Sequence, residues 1–149
     1  MIGIVVCGHG HFGTGVVSAL KLLVGEVDFL VGIDFEGYAG EEELSANIKK
    51  KVEKMKKSFG QVFLLCDILG GSPFKCAATL YAGDENVKIL YGANLGMAVE
   101  LCMRAITGNE RIELEKTAEE LVYLGQHSIG AYTFVEPQNM EPGEEEEGI

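Results

Sequence analysis

Positive charge is scarce in this sequence. Twelve Lys and Arg stand against 23 Asp and Glu, a formal net charge of -11 and a pI of about 4.7. That balance argues against nucleic-acid or anionic-membrane binding, both of which need surfaces rich in Lys and Arg. It leaves room for a basic protein partner, although much of the negative charge falls in the last residues. No stretch is apolar enough for long enough to span a membrane. Gly8-His9-Gly10 interrupts the opening apolar run too early for a secretory signal. No internal repeat is present. The four cysteines, Cys7, Cys66, Cys76 and Cys102, form no CxxC pair, and each has apolar neighbours. They read as buried free thiols, which fits a reducing, cytoplasmic setting.

What is present suits one compact domain: 149 residues, 47% of them hydrophobic. Short apolar runs alternate with stretches of helical period. Strands are predicted at Ile2–Cys7, Val27–Phe35, Gln61–Cys66 and Val87–Tyr91. Helices are predicted over Thr14–Val24, Glu41–Lys57, Phe74–Tyr81 and Leu95–Ala105. The second is the clearest, with Leu44, Ile48, Val52 and Met55 as its stripe and Glu41, Glu42 and Glu43 complementing its dipole. Ser72 reads as the N-cap of the third, with Pro73 at its first position, and Asn94 as the cap of the fourth. Thr117 with Glu120 resembles a capping box for one more helix. His127–Val135 alternates weakly and reads as a final strand. From Glu136 to Ile149 the chain is Pro, Gly and Glu, including the run Glu144–Glu147, and reads as a disordered acidic tail. The pattern implies an open, mostly parallel α/β sheet with helices on both faces. In such sheets ligands bind beyond the carboxyl ends of the strands, where strand order reverses. Three turns fall on that edge: Gly8-His9-Gly10, Asp34-Phe35 and Asp67 through Ser72.

The first of these turns permits more than one chemistry. Gly8-His9-Gly10-His11-Phe12-Gly13 matches G-x-G-x-x-G, and Asp34 stands downstream, as in a dinucleotide-binding fingerprint. That reading puts histidines where a pyrophosphate needs small inert residues, and no residues remain for a substrate domain. His9, His11, Asp34 and Asp67 lack the ligand pattern of a zinc site, so no metal is expected. The third reading makes His9 a nucleophile toward phosphorus. It needs one ring nitrogen free and the other held by a carboxylate, which fixes the tautomer and stabilises the charged product. Asp67, at the end of the third strand, is the best-placed carboxylate. Gly70, Gly71 and Ser72 offer N–H groups at a helix N-terminus, plus a hydroxyl, for phosphoryl oxygens. His11 and His127 read as ordinary loop histidines.

The strings Val6-Cys7-Gly8-His9-Gly10 and Cys66-Asp67-Ile68-Leu69-Gly70-Gly71-Ser72-Pro73-Phe74 together resemble the IIA component of the mannose-family sugar phosphotransferase system. Ile33-Asp34-Phe35 and Gly92-Ala93-Asn94 are similar as well, and the likeness covers Met1 to about Phe134. It implies a mannose-family IIA domain over residues 1–135. Such a domain accepts a phosphoryl group from phospho-HPr on His9, through Nε2, and passes it to the IIB component. IIB then phosphorylates sugar arriving through the membrane components IIC and IID. Asp67 would hold the other ring nitrogen; Ser72 and the Gly71 backbone would bind the phosphoryl oxygens. Gly10, Asp34, Phe35 and Asn94 would edge the site, with no cofactor. The resemblance also implies a homodimer formed by exchanging the final strand, antiparallel at the sheet edge. Three departures stand out: Gly8 where some members have Thr, Ile68-Leu69 where an aromatic is frequent, and no IIB domain after the acidic tail. The expectation is a free-standing IIA subunit.

Overall fold

The structure, a computed structural model, describes residues 1–136; the acidic tail, Glu136 excepted, lies outside the described residues. Strands β1 (Ile2–His9), β2 (Leu30–Phe35), β3 (Gln61–Cys66) and β4 (Val87–Leu90) form one sheet in the order β2-β1-β3-β4, every pair parallel. Helices α1 (Phe12–Val24), α2 (Glu41–Phe59), α3 (Ser72–Tyr81), α4 (Leu95–Thr107) and α5 (Leu114–His127) complete the described fold. The expected α/β architecture is therefore present.

Both sheet faces are covered, which is why the strands read as continuous apolar runs rather than alternating ones. Side chains of one strand still alternate between two cores. Ile4 and Val6 join Leu20 of α1, Leu101 of α4 and Leu121 of α5. Val5 and Cys7 join Ile48 and Val52 of α2 and Ala77 of α3 on the other face. Gln61 is buried at the start of β3, where its amide donates to the Ile112 carbonyl and accepts from the Ile112 N–H, both at 2.9 Å.

β1 runs first to β2 on one side; β2 then returns, through α2, to β3 on the other. The strand order thus reverses between β1 and β3. α1 lies close on β2 because two glycines meet there: a Cβ on Gly32 would stand 2.7 Å from the Gly13 backbone, and one on Gly13 would collide with the Ile33 carbonyl.

The final strand expected over His127–Val135 is one exchanged with a second copy; within the single chain α5 runs to His127, residues 128–136 pair with no strand of the sheet, and Ile129, Tyr132 and Phe134 are exposed. A strand needs a neighbour's N–H and C=O groups. Three expectations need correction. Thr117 does not cap α5, which begins three residues earlier because Ile112 and Leu114 already pack on the core. Thr117 is buried inside the helix, and Glu120 pairs with Arg104 at 2.5 Å. Gly71, not Ser72, occupies the cap of α3. β2 starts at Leu30, three residues after the predicted start.

Candidate functional site

His9 is the last residue of β1, and Asp67 follows β3 directly. The adjacent strands keep Cys7 opposite Cys66, and the Asp67 N–H continues the ladder to the Cys7 carbonyl at 3.3 Å. These backbone positions bring the two side chains together across the strand-order reversal. One carboxylate oxygen, Asp67 Oδ2, receives the His9 main-chain N–H at 2.8 Å and the His9 ring Nδ1 at 2.7 Å. The other, Oδ1, receives the Ile68 N–H at 2.8 Å. Partial burial pushes the Asp67 carboxyl up, but the two bonds from His9 and the one from Ile68 outweigh it, and the group sits below its ordinary value. An ionised carboxylate only accepts, so Nδ1 carries a proton, and with that single proton on the ring Nε2 keeps its lone pair. Among the described residues Nε2 has no hydrogen-bond partner, and the His9 side chain is 44% exposed.

The surroundings leave room for that ring. Gly10 turns the chain with φ +55°, and its N–H bonds the Phe35 carbonyl at 2.7 Å. A left-handed residue there is accessible to glycine without the usual Cβ penalty. Phe35 meets the imidazole edge-on at 5.8 Å between centroids. Gly71, the N-cap of α3, lies against the ring: a Cβ there would stand 2.6 Å from Cε1 and 3.3 Å from Nε2. The free nitrogen of His9 is therefore beside the amide end of α3, where backbone N–H groups favour an anion.

The remaining site candidates divide. Asp34 is engaged within the chain. Its Oδ1 accepts the Thr14 N–H at 2.8 Å, and Oδ2 accepts the Thr14 hydroxyl at 2.6 Å and bonds the His11 ring at 3.0 Å. It caps α1 from a neighbouring strand. Partial burial raises the Asp34 carboxyl, but the Thr14 bonds and then His11 bring it below its ordinary value. The nucleotide reading thus loses its acidic residue. The glycines of the opening motif serve packing and a turn: a Cβ on Gly8 would meet the Phe12 ring at 2.5 Å. His11 is exposed, with Nδ1 on Asp34 and Nε2 3.3 Å from Glu36 Oε1. The Asp34 bond, and then the charges of Glu36 and Asp34, raise its pKa, and both ring nitrogens face carboxylate oxygens. His127 ends α5, stacked on Tyr123.

Asn94 caps α4 as expected, accepting the Met97 N–H at 3.1 Å, and its amide also donates to the Gly125 carbonyl of α5 at 2.8 Å. Its hydrogen bonds join two helices rather than reach His9. Ser72, next to the ring-facing glycine, donates its hydroxyl to Glu41 Oε1 at 2.6 Å. Glu41 was legible in the sequence only as part of an acidic first turn. Among the described residues no group of three or more His, Cys, Asp or Glu is placed to hold a metal. The four cysteines are free and buried, and burial pushes the Cys66 thiol up to about 12 and the Cys102 thiol to about 11.

Comparison with known proteins bears on this arrangement. A family model, EIIA-man, described as the PTS system fructose IIA component, matches residues 3–121. The chain is 25% identical over 129 residues to the fructose-specific EIIA component of Bacillus subtilis strain 168, covering 87% of this chain and 85% of that protein. It is 30% identical over 102 residues to the mannose-specific EIIAB component of Escherichia coli K12, covering 68% of this chain but 31% of that longer protein. Among solved structures, EIIA from Streptococcus agalactiae superposes with a TM-score of 0.76 at 26% identity, covering 88% of this chain and 97% of that one. The PTS IIA protein associated with the fucose utilization operon of Streptococcus pneumoniae does so with 0.77 at 27%, covering 87% and 92%.

Proposed function

The chain belongs to the EIIA-man family of phosphotransferase-system IIA components, and from that premise we propose that it is a phosphocarrier working through His9. The observation that carries the reading is the pair of hydrogen bonds that His9 donates, from ring and main chain, to one Asp67 oxygen, with Nε2 left open. The donor is the histidine-phosphorylated carrier HPr and the acceptor is the IIB component, which serves the membrane components IIC and IID. The Nε2 lone pair attacks phosphorus in line. As the new N–P bond forms, the P–N bond to the donor imidazole breaks, and its electron pair returns to that ring. The Nδ1 proton stays on His9, held by Asp67, whose charge stabilises the cationic phosphorylated ring. The Gly71–Ser72 backbone at the start of α3, with the Ser72 hydroxyl, receives the phosphoryl oxygens. The partner supplies the activated group, and the protein supplies position and charge, which is most of what phosphoryl transfer requires.

Among the described residues no helix is long and apolar enough to cross a membrane, and we place the protein in the cytoplasm. We also propose the homodimer: β4 is an open sheet edge, and the exposed segment around Ile129, Tyr132 and Phe134 is available to a second copy. The functional test is intact mass after incubation with phosphoenolpyruvate, enzyme I and HPr. The expected result is one added phosphoryl group, labile in mild acid, absent in His9→Ala and retained in His11→Ala. Retention of the group by His9→Ala would overturn the assignment.

A further inference from the structure

Ser72 brings one hydroxyl to the α3 N-terminus, and its single proton is already committed. It lies on Glu41 Oε1 at 2.6 Å, the length of a charge-assisted bond. Glu41 is the first residue of α2 as Ser72 is of α3, so the two helices start side by side. The Cys76 thiol, one turn into α3, also reaches the Glu41 carbonyl at 3.6 Å. The dipole of α2 accounts for an acidic first turn of Glu41, Glu42 and Glu43. It does not account for Glu41 reaching across to a neighbouring helix.

We infer that Glu41 is a positioning residue that acts through Ser72 to limit how tightly His9 holds its phosphoryl group. The inference rests on the phosphocarrier reading and deepens it. A hydroxyl donates one hydrogen bond. A carboxylate and a phosphoryl oxygen therefore compete for it. Where the hydroxyl stays on Glu41, the phosphoryl group lacks that donor. Where it turns to the phosphoryl group, the Glu41 carboxylate loses its partner close to added negative charge. Either outcome raises the phosphorylated state relative to the free one. A carrier must release what it accepts, and a site that bound the phosphoryl group with every available donor would hold it too well. Glu41 keeps one donor in competition.

The test uses the full chain as wild type, Glu41→Ala, Glu41→Gln, Ser72→Ala and the Glu41→Ala/Ser72→Ala double variant. Each is equilibrated with phospho-HPr at a fixed ratio of phosphorylated to free donor. Intact mass gives the phosphorylated fraction, and thermal melting reports the fold. Glu41→Ala is expected to shift the equilibrium about tenfold toward phospho-His9, the worth of one charged hydrogen bond. Glu41→Gln, which keeps an uncharged acceptor, shifts it in the same direction by less. In the Ser72→Ala background the Glu41→Ala shift shrinks to about twofold, because coupled residues are not additive. A Glu41→Ala shift of equal size in both backgrounds would overturn the inference, since Glu41 would then act as a bare charge. A lowered melting temperature with an unmoved equilibrium would also overturn it, leaving only a tie between helices. A wild-type protein that accepts no phosphoryl group would instead refute the phosphocarrier reading itself.

Discussion

Replacing Gly71 by alanine tests the geometry of the site with one methyl group. The backbone there is extended, with φ -70° and ψ 164°, so any residue can adopt it. The added Cβ would stand 2.6 Å from His9 Cε1, whereas carbon atoms in contact sit about 3.5–4.0 Å apart. The ring must therefore move by about 1 Å, and it can do so only by loosening its 2.7 Å bond to Asp67. A displacement of that size at a reacting group costs about 100-fold in rate. His9 is partly exposed, so the ring has somewhere to go, and the fold is expected to lose less than about 1 kcal/mol. The assay is the rate of phosphoryl uptake from phospho-HPr in single turnover, with thermal melting alongside. Gly10→Ala is the matching control. There φ is +55° and nothing lies within 4 Å of the new Cβ, so it costs about 1–2 kcal/mol of backbone strain with no collision at the ring. Wild-type uptake by Gly71→Ala, with Nδ1 still protected by Asp67 in imidazole NMR, would refute the reasoning.

Other outcomes follow from the same contacts. Asp34→Ala removes the acceptor of two Thr14 bonds and is expected to lower stability by about 1–2 kcal/mol, read by denaturant unfolding. Its pH dependence has a definite sign. The folded Asp34 value is depressed, so its contribution is complete above the ordinary carboxylate value and fades as pH falls through the folded one. The folded His11 value is raised, so its contribution is present below the ordinary value of 6.5 and is lost as pH rises through the folded one. The melting difference between wild type and His11→Ala should therefore be largest near pH 5 and shrink toward pH 8. Gly13→Ala drives a methyl into the Ile33 carbonyl and should destabilise by about 1–3 kcal/mol in the same unfolding assay. Asn94→Ala removes a cap and the bond to Gly125. It should cost about 1–2 kcal/mol in the unfolding assay while phosphoryl uptake stays unchanged.

The parts legible in the sequence are those set by local pattern. β3 begins and ends where its apolar run does, and the stripe Leu44, Ile48, Val52 and Met55 is the buried set of α2. A parallel sheet covered on both faces writes its strands as uninterrupted apolar runs, and strand ends then locate turns. That places His9 and Asp67 on one edge before any coordinates. What stayed hidden depends on contacts distant in the chain. Asp34 stands at a strand end, where the pattern marks a site edge; its partner Thr14 becomes visible only when α1 lies on β2. Ser72 looked like a cap because of its type, but Glu41, 31 residues away, takes its hydroxyl. The capping pair Thr117 and Glu120 failed because core contacts of Ile112 and Leu114 start the helix earlier. His127–Val135 carries weak alternation, and alternation alone supplies no hydrogen-bonding neighbour.

The single oxygen that receives both the main chain and the ring of His9 has a kinetic consequence. The imidazole is referenced to its own strand rather than to a mobile loop, so its rotamer is chosen during folding. A side chain free to rotate loses conformational entropy each time it is fixed. Here that loss is incurred once, when β1 and β3 pair, and not at every encounter with a partner. On the phosphocarrier reading proposed above, the ring could be loaded and unloaded over many cycles with little reorganisation between them.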